Sequence, residues 1–180
     1  NLAVHPECRE QMLQNGAVAI MVKLCTGSTD SAVLQSSALA LGNLALHHTE
    51  HSRSIIVQEG AVEPLVQLLS RYAEDEHVLA NALFALASLA LHDENRPLIV
   101  ENGALPPLID LCQNCNDTTV LQHSTEAVAN LCLQEQSASQ VLDAGGLPPL
   151  VALCADSQNS LVLRYAAAAI ANLAFHDSCR

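Results

Sequence analysis

The sequence predicts an all-α fold, a solenoid of stacked helical units. Three observations carry this. A Gly-centred phrase recurs in register as Asn15-Gly16-Ala17-Val18, Glu59-Gly60-Ala61-Val62, Asn102-Gly103-Ala104-Leu105 and Ala144-Gly145-Gly146-Leu147, roughly every 43 residues. A second phrase keeps the same beat: Asn1-Leu2-Ala3, Asn43-Leu44-Ala45, Ser88-Leu89-Ala90, Asn130-Leu131-Cys132 and Asn172-Leu173-Ala174. Nowhere does a strict period-two alternation persist, so no strand is predicted. Like units at such a period bury their apolar faces only against their neighbours.

Each unit reads as three helices. The first covers approximately Glu7–Asn15, Ser52–Glu59, Asn95–Asn102 and Ser137–Ala144. The Gly just past its end is the usual left-handed stop. The second helix begins two or three residues later, with Pro64, Pro106, Pro107, Pro148 and Pro149 in its first turn, where a missing N–H costs nothing. Leu65, Leu68 and Leu69, matched by Leu108, Leu111 and Cys112, form its apolar stripe. Thr29-Asp30-Ser31, Glu74-Asp75-Glu76, Asp117-Thr118 and Asn159-Ser160 supply N-caps for the third helix. That helix is the longest, at about Ala32–His47, Val78–His92, Val120–Leu133 and Leu161–His176. Its small residues, such as Ala38, Ala40, Gly42 and the run Ala166–Ala169, let neighbouring helices approach closely.

Half of the 180 residues are apolar, so a core is easily built. Aromatics are 2% and there is no Trp, so that core is Leu, Ala, Val and Ile. The net charge of −12 argues against nucleic acid, which requires a basic face, and against an anionic membrane surface. No apolar run approaches the ~20 residues that span a bilayer. The seven cysteines are odd in number, and Cys25, Cys112 and Cys154 stand where another unit has Leu69, so they act as small hydrophobes. Reduced thiols fit a cytoplasmic or nuclear protein that is not secreted.

The order of short helix, Gly-Ala, Pro-Leu-Val-x-Leu-Leu helix and long helix ending in Asn-Leu-Ala resembles the armadillo repeat. Glu59-Gly60-Ala61-Val62-Glu63-Pro64-Leu65-Val66-Gln67-Leu68-Leu69 and Ala169-Ile170-Ala171-Asn172-Leu173-Ala174 carry that resemblance. HEAT repeats use a two-helix unit and lack the Gly-Ala punctuation. The resemblance implies a right-handed superhelix, here a single array over 1–180. It divides into the end of one repeat at 1–5, repeats at 6–48, 49–92, 93–134 and 135–177, and the start of another at 178–180. The end phrases lead us to expect a piece of a longer array, with flanking repeats as neighbours.

In that family the third helices line a concave groove, and an extended peptide is held there by an Asn near each third-helix end. Residue by residue, the role maps to Asn43, Asn130 and Asn172, with Asn1 a further candidate, while Ser88 breaks the ladder. An amide matches both the C=O and the N–H of a backbone without reading its sequence. One and two turns earlier lie the residues that share the face: Leu39 and Ser36, Phe84 and Asn81, Glu126 and His123, and Ala168 and Tyr165 with Arg164 beside it. Nuclear-import members carry Trp one turn before the Asn, and this chain has none.

Other patterns are tempting. Cys112-x-x-Cys115 has zinc or redox spacing but no second pair and no βαβ context. His5, His47, His92 and His176 recur at third-helix ends, where imidazole meets the last carbonyls. His47, His48 and His51 form the single local histidine cluster. Arg9, Arg53, Arg96 and Arg180 recur on the first helix, where an ion pair between units is expected. No spacing suggests a nucleophile with its base, a phosphate loop or paired acids, so the expectation is no enzyme, no cofactor and no metal. The predicted role is a non-catalytic scaffold that binds an extended peptide or a partner protein. The alternatives are a nuclear-transport adaptor for basic cargo, disfavoured by the missing Trp, and a structural spacer in a larger protein.

Overall fold

The computed structural model describes residues 6–46 and 50–176, and among them finds helices and no strand. The helices are α1 (Pro6–Gln14), α2 (Ala17–Gly27), α3 (Ser31–Leu46), α4 (Glu50–Gln58), α5 (Val62–Arg71), α6 (Glu76–Leu89), α7 (Asn95–Glu101), α8 (Leu105–Asn114), α9 (Thr118–Leu131), α10 (Glu135–Asp143), α11 (Leu147–Asp156) and α12 (Ser160–Phe175). They repeat as short, medium and long, giving an all-α solenoid.

The predicted punctuation is what shapes each unit. Gly16, Gly60, Gly103 and Gly145 all adopt positive φ, between 71° and 81°, which a side chain would resist. The residue after the stop then reaches back over it: Ala61 N–H donates to Ile56 C=O at 3.2 Å, and Ala104 N–H to Ile99 C=O at 3.3 Å. That bond satisfies a helix-end carbonyl and sets the direction of the second helix. At the third helices the carboxylates of Asp75 and Asp117 accept from Val78 N–H and Val120 N–H, at 3.0 and 2.8 Å. Asp30 caps α3 and Asn159 caps α12 in the same manner. Ser31 also donates its hydroxyl to the Asp75 carboxylate, tying the starts of α3 and α6 together.

The third helices α3, α6, α9 and α12 pack side by side, and each second helix backs the third helix of its own unit. The core between these layers is aliphatic. Leu34, Leu41, Leu44, Leu65, Leu68, Leu79, Leu83, Leu86, Leu89 and Leu108 are fully buried, each worth about 1.5–3 kcal/mol of transfer free energy. Cys25 and Cys112 lie in the same layer, and burial pushes both thiols up to about 11, as expected of inert core residues. Cys115 is an unpaired thiol, and no His/Cys/Asp/Glu cluster among the described residues could hold a metal.

Two local expectations need correction. The helix α6 stops at Leu89, not His92, because side chains take over its final carbonyls. Asn95 Nδ2 donates to Leu89 C=O at 3.1 Å, Arg96 Nε to Ala90 C=O at 2.9 Å and Arg96 Nη2 to Leu91 C=O at 3.3 Å. Arg96 therefore joins its unit to the preceding one through helix-end carbonyls. Its ion pair, with Asp93 at 3.2 Å, stays inside the connecting turn. Asn1, His5, His47, His48 and Arg180 lie outside the described residues, as do the side chains of Arg9, His51 and Arg53.

One close approach in the helix stack is at Gly42. A Cβ built there would sit 2.5 Å from Phe84 Cδ1 and 3.2 Å from Ala85 Cα, so α6 rests on the bare backbone of α3. Gly42→Ala is expected to destabilise the chain by about 1–3 kcal/mol in urea unfolding. Adding Phe84→Ala should restore part of that loss relative to Phe84→Ala alone. An unchanged midpoint for Gly42→Ala would show that this contact yields freely.

Candidate functional site

Each third helix carries a strip of exposed or half-buried residues at helical spacing. On α3 it runs through Ala32, Ser36 and Leu39, and on α6 through His77, Asn81 and Phe84. On α9 it runs through Thr119, His123, Glu126 and Asn130, and on α12 through Leu161, Tyr165, Ala168 and Asn172. The spacing of three and four residues is that of one helix face. The strips lie on consecutive third helices that pack side by side in one layer. Arg164 is exposed beside Tyr165.

The Asn residues differ from the expectation of a plain ladder. Asn130 Nδ2 donates to Ala87 C=O at 3.0 Å, and Asn172 Nδ2 to Ala129 C=O at 3.1 Å. Each amide nitrogen is held by the preceding third helix, and each Oδ1 is without a hydrogen-bond partner among the described residues. Asn43 is buried, and its Nδ2 finds no partner there. Ser88 is buried as well, and its hydroxyl donates to Phe84 C=O at 2.8 Å. A short side chain on a helix satisfies itself one turn back, so Ser88 offers nothing to the surface.

A side-chain bridge crosses from α6 to α12. The Phe84 and His123 rings lie 5.5 Å apart, centroid to centroid. His123 Nδ1 pairs with Glu126 Oε2 at 3.2 Å, and Tyr165 O–H donates to Glu126 Oε1 at 2.7 Å. The Arg164 guanidinium sits 4.5 Å over the Tyr165 ring. Burial works to raise the Glu126 carboxyl, but the bonds from His123 and Tyr165, with the fields of His123 and Arg164, outweigh it and hold it below its ordinary 4.5. Glu126 is thus an ionised acid already engaged on both oxygens.

Two features escaped the sequence reading. Leu46, Leu91, Leu133 and Phe175, each three residues past the Asn position, are exposed, with Phe175 at 77%. They recur at one position of each unit, and that shared register was visible in the repeat alignment. His176 meets Cys132 C=O at 2.9 Å, and since a carbonyl only accepts, Nε2 carries the proton. The imidazole caps the neighbouring unit's third helix, not its own.

The Glu126 bridge makes stability depend on pH with a definite sign. A lowered folded-state pKa contributes stability above the ordinary carboxylate value, and that contribution is lost as pH falls through the folded value. Glu126→Gln should therefore melt below the parent near neutrality, with the gap closing as pH drops below 4.5. A gap that stays constant across thermal melts in that range would assign the effect to something other than this carboxylate.

Comparison with known proteins matches the form of these units. The model of the Armadillo/beta-catenin-like repeat matches residues 5–46, 49–91, 92–133 and 135–175. NAD(+) hydrolase SARM1 of Danio rerio is 32% identical over 99 residues, covering 55% of this chain and 14% of that protein. U-box domain-containing protein 1 of Medicago truncatula is 33% identical over 91 residues, covering 51% and 12% respectively. The chain thus spans only a small part of the length of these curated relatives. Among solved structures, a designed armadillo repeat protein in complex with the peptide (KR)4 superposes with a TM-score of 0.88 at 29% identity, covering 96% of this chain and 71% of that one. The chain belongs to the armadillo repeat family.

Proposed function

We propose that this armadillo array is a non-catalytic scaffold that holds an extended peptide, or an extended segment of a partner protein, along the face of α3, α6, α9 and α12. The observation that carries this reading is the repeated posture of Asn130 and Asn172. Each amide nitrogen is pinned to the preceding helix, and each Oδ1 remains an acceptor at the same place in successive units. Pre-set acceptors at a fixed interval suit the N–H groups of an extended backbone, and the pinning removes much of the ordering cost of binding. Leu39, Phe84 and Tyr165, with Asn81 and Arg164 beside them, supply side-chain contacts around that ladder. Aromatic and Arg anchors of this kind tend to dominate binding energy.

The peptide complex of the designed armadillo protein supports the same class of occupant. It does not carry over as a preference for basic cargo. The single acid of the candidate set, Glu126, is already paired with His123 and Tyr165, and there is no Trp to clamp lysine stems. A mixed partner with apolar side chains fits Leu39 and Phe84 better. The unpaired thiols of Cys25 and Cys112 accord with a reducing compartment.

Peptides selected from a random-sequence display library on this chain provide the test. Leu39→Glu together with Arg164→Glu alters two exposed residues of the face and should weaken those peptides at least about tenfold. Gln136→Glu, exposed on α10, should leave them unchanged, as should the melting temperature of each variant. Equal binding to both variants would move the partner off this face. Tight, saturable binding of a lysine-rich peptide at physiological salt would favour the transport-adaptor reading instead.

A further inference from the structure

We propose that two junctions between second helices, α5 with α8 and α8 with α11, are notches that receive arginine side chains from a basic, extended segment of a partner protein. The notches share no residue with the third-helix strip.

Two cavities occupy the same place in consecutive units. The first, of about 280 Å³, is lined by Leu69 and Leu79 from one unit and Leu111 from the next, together with Glu74, Glu76 and Asp110. The second, of about 340 Å³, is lined by Leu121 from one unit and Pro149 and Leu153 from the next, together with Asp156. Pro107, Leu111, Asn114 and Cys115 of the first stand one repeat before Pro149, Leu153, Asp156 and Ser157 of the second. Each notch thus pairs apolar walls with acidic residues, and no Lys or Arg lines either one.

A third junction shows what fits. Between α2 and α5 the register puts Arg71 where the later junctions have Asn114 and Asp156. Arg71 reaches back across that junction, and its Nη1 donates to Thr26 C=O at 3.3 Å, in the last turn of α2. Carbonyls in a last turn have no partner within their helix and form the negative end of its dipole, so a guanidinium suits them. Ser70 and Gln113 hold the place of Thr26 at the later junctions. There the counterpart of Arg71 does not cross. Asn114 turns along its own helix, its Nδ2 donating to Asp110 Oδ1 at 2.7 Å, and Asp156 is itself an acid. The fold supplies its own guanidinium to the first junction and leaves the next two open and acidic.

These features select the occupant. The stem of an arginine can lie along the Leu and Pro walls while its head stays polar. The planar fork bonds a carbonyl and a carboxylate together, which the point charge of a lysine does less well. Packed helices lie about 8–10 Å apart, and a polyproline II segment returns to the same face every three residues after ~9 Å. A segment with Arg at every third place therefore matches the interval between the notches. The net charge of −12 draws such a segment in.

A fluorescent peptide of repeated Arg-Pro-Pro triplets is the probe. Its titration at physiological salt should saturate. The amide NMR signals of Glu74, Asp110 and Cys115 should shift, while those of Ser36, Asn81 and Ala168 on the strip stay in place. Asn114→Arg with Asp156→Arg fills both notches from within, as Arg71 does, and should weaken the peptide at least about tenfold without lowering the melting temperature. Gln136→Arg with Asp143→Arg makes the same change of charge at exposed positions of α10 and should weaken it far less. Shifts confined to the strip, or equal weakening by the two double variants, would overturn the notches as sites. Equally tight binding of repeated Glu-Pro-Pro triplets would overturn the cation as their occupant.

Discussion

The structure depends on the lateral packing of its third helices. No unit can bury both flanks of its long helix by itself, so each relies on the helix before it and the helix after it. Close approach is the condition for this, and small residues meet it. Gly42 lets Phe84 and Ala85 lie against the backbone of α3, and Ala82, Ala85, Ala127, Ala129, Ala166 and Ala169 form buried contact surface along the series. At such distances dispersion contacts are numerous and water is excluded, which is why Leu and Ala suffice without aromatic bulk.

Once the helices are this close, polar groups near the contact must be paired across it. Asn130 and Asn172 reach back to a carbonyl, Tyr165 reaches Glu126, and His176 reaches Cys132. These bonds fix the spacing and rotation of neighbouring units. They also determine which polar atoms remain at the surface. The surface of α3, α6, α9 and α12 presents the oxygen ends of two amides, several half-buried rings and an acid already engaged. The side chains bonded along this face are held by the same packing that makes the stack.

The legible part of this protein was local or periodic. The glycine stops, the acidic and Asn caps, the prolines of the second helices and the exchange of Cys for Leu in the core all rest on backbone conformation or on size, and both are properties of residue type. Membership of one face was legible too, since 3.6 residues per turn places Leu39, Phe84, Glu126 and Ala168 one turn before Asn43, Ser88, Asn130 and Asn172. What escaped was partner choice. Ser88 bonds to its own helix, Arg96 bonds to carbonyls at the end of α6, the amide nitrogens of Asn130 and Asn172 are committed to the stack, and that of Asn43 is buried without an acceptor among the described residues. A donor can be recognised from its residue type, but its acceptor depends on which backbone the fold brings within 3 Å or so.

The sequence by itself determined the unit: its length, its three helices, the glycines and caps that stop and start them, and the absence of strands among the described residues. Those follow from torsion preferences and from the spacing of apolar residues, which act over a few residues at a time. Only the tertiary structure decided which polar atoms are consumed by stacking and which remain at the surface. That outcome requires contacts between residues some 43 positions apart, as between Asn130 and Ala87, and no local preference specifies them. The repeat gives every unit the same ingredients, and the packing of neighbours assigns each copy its different task.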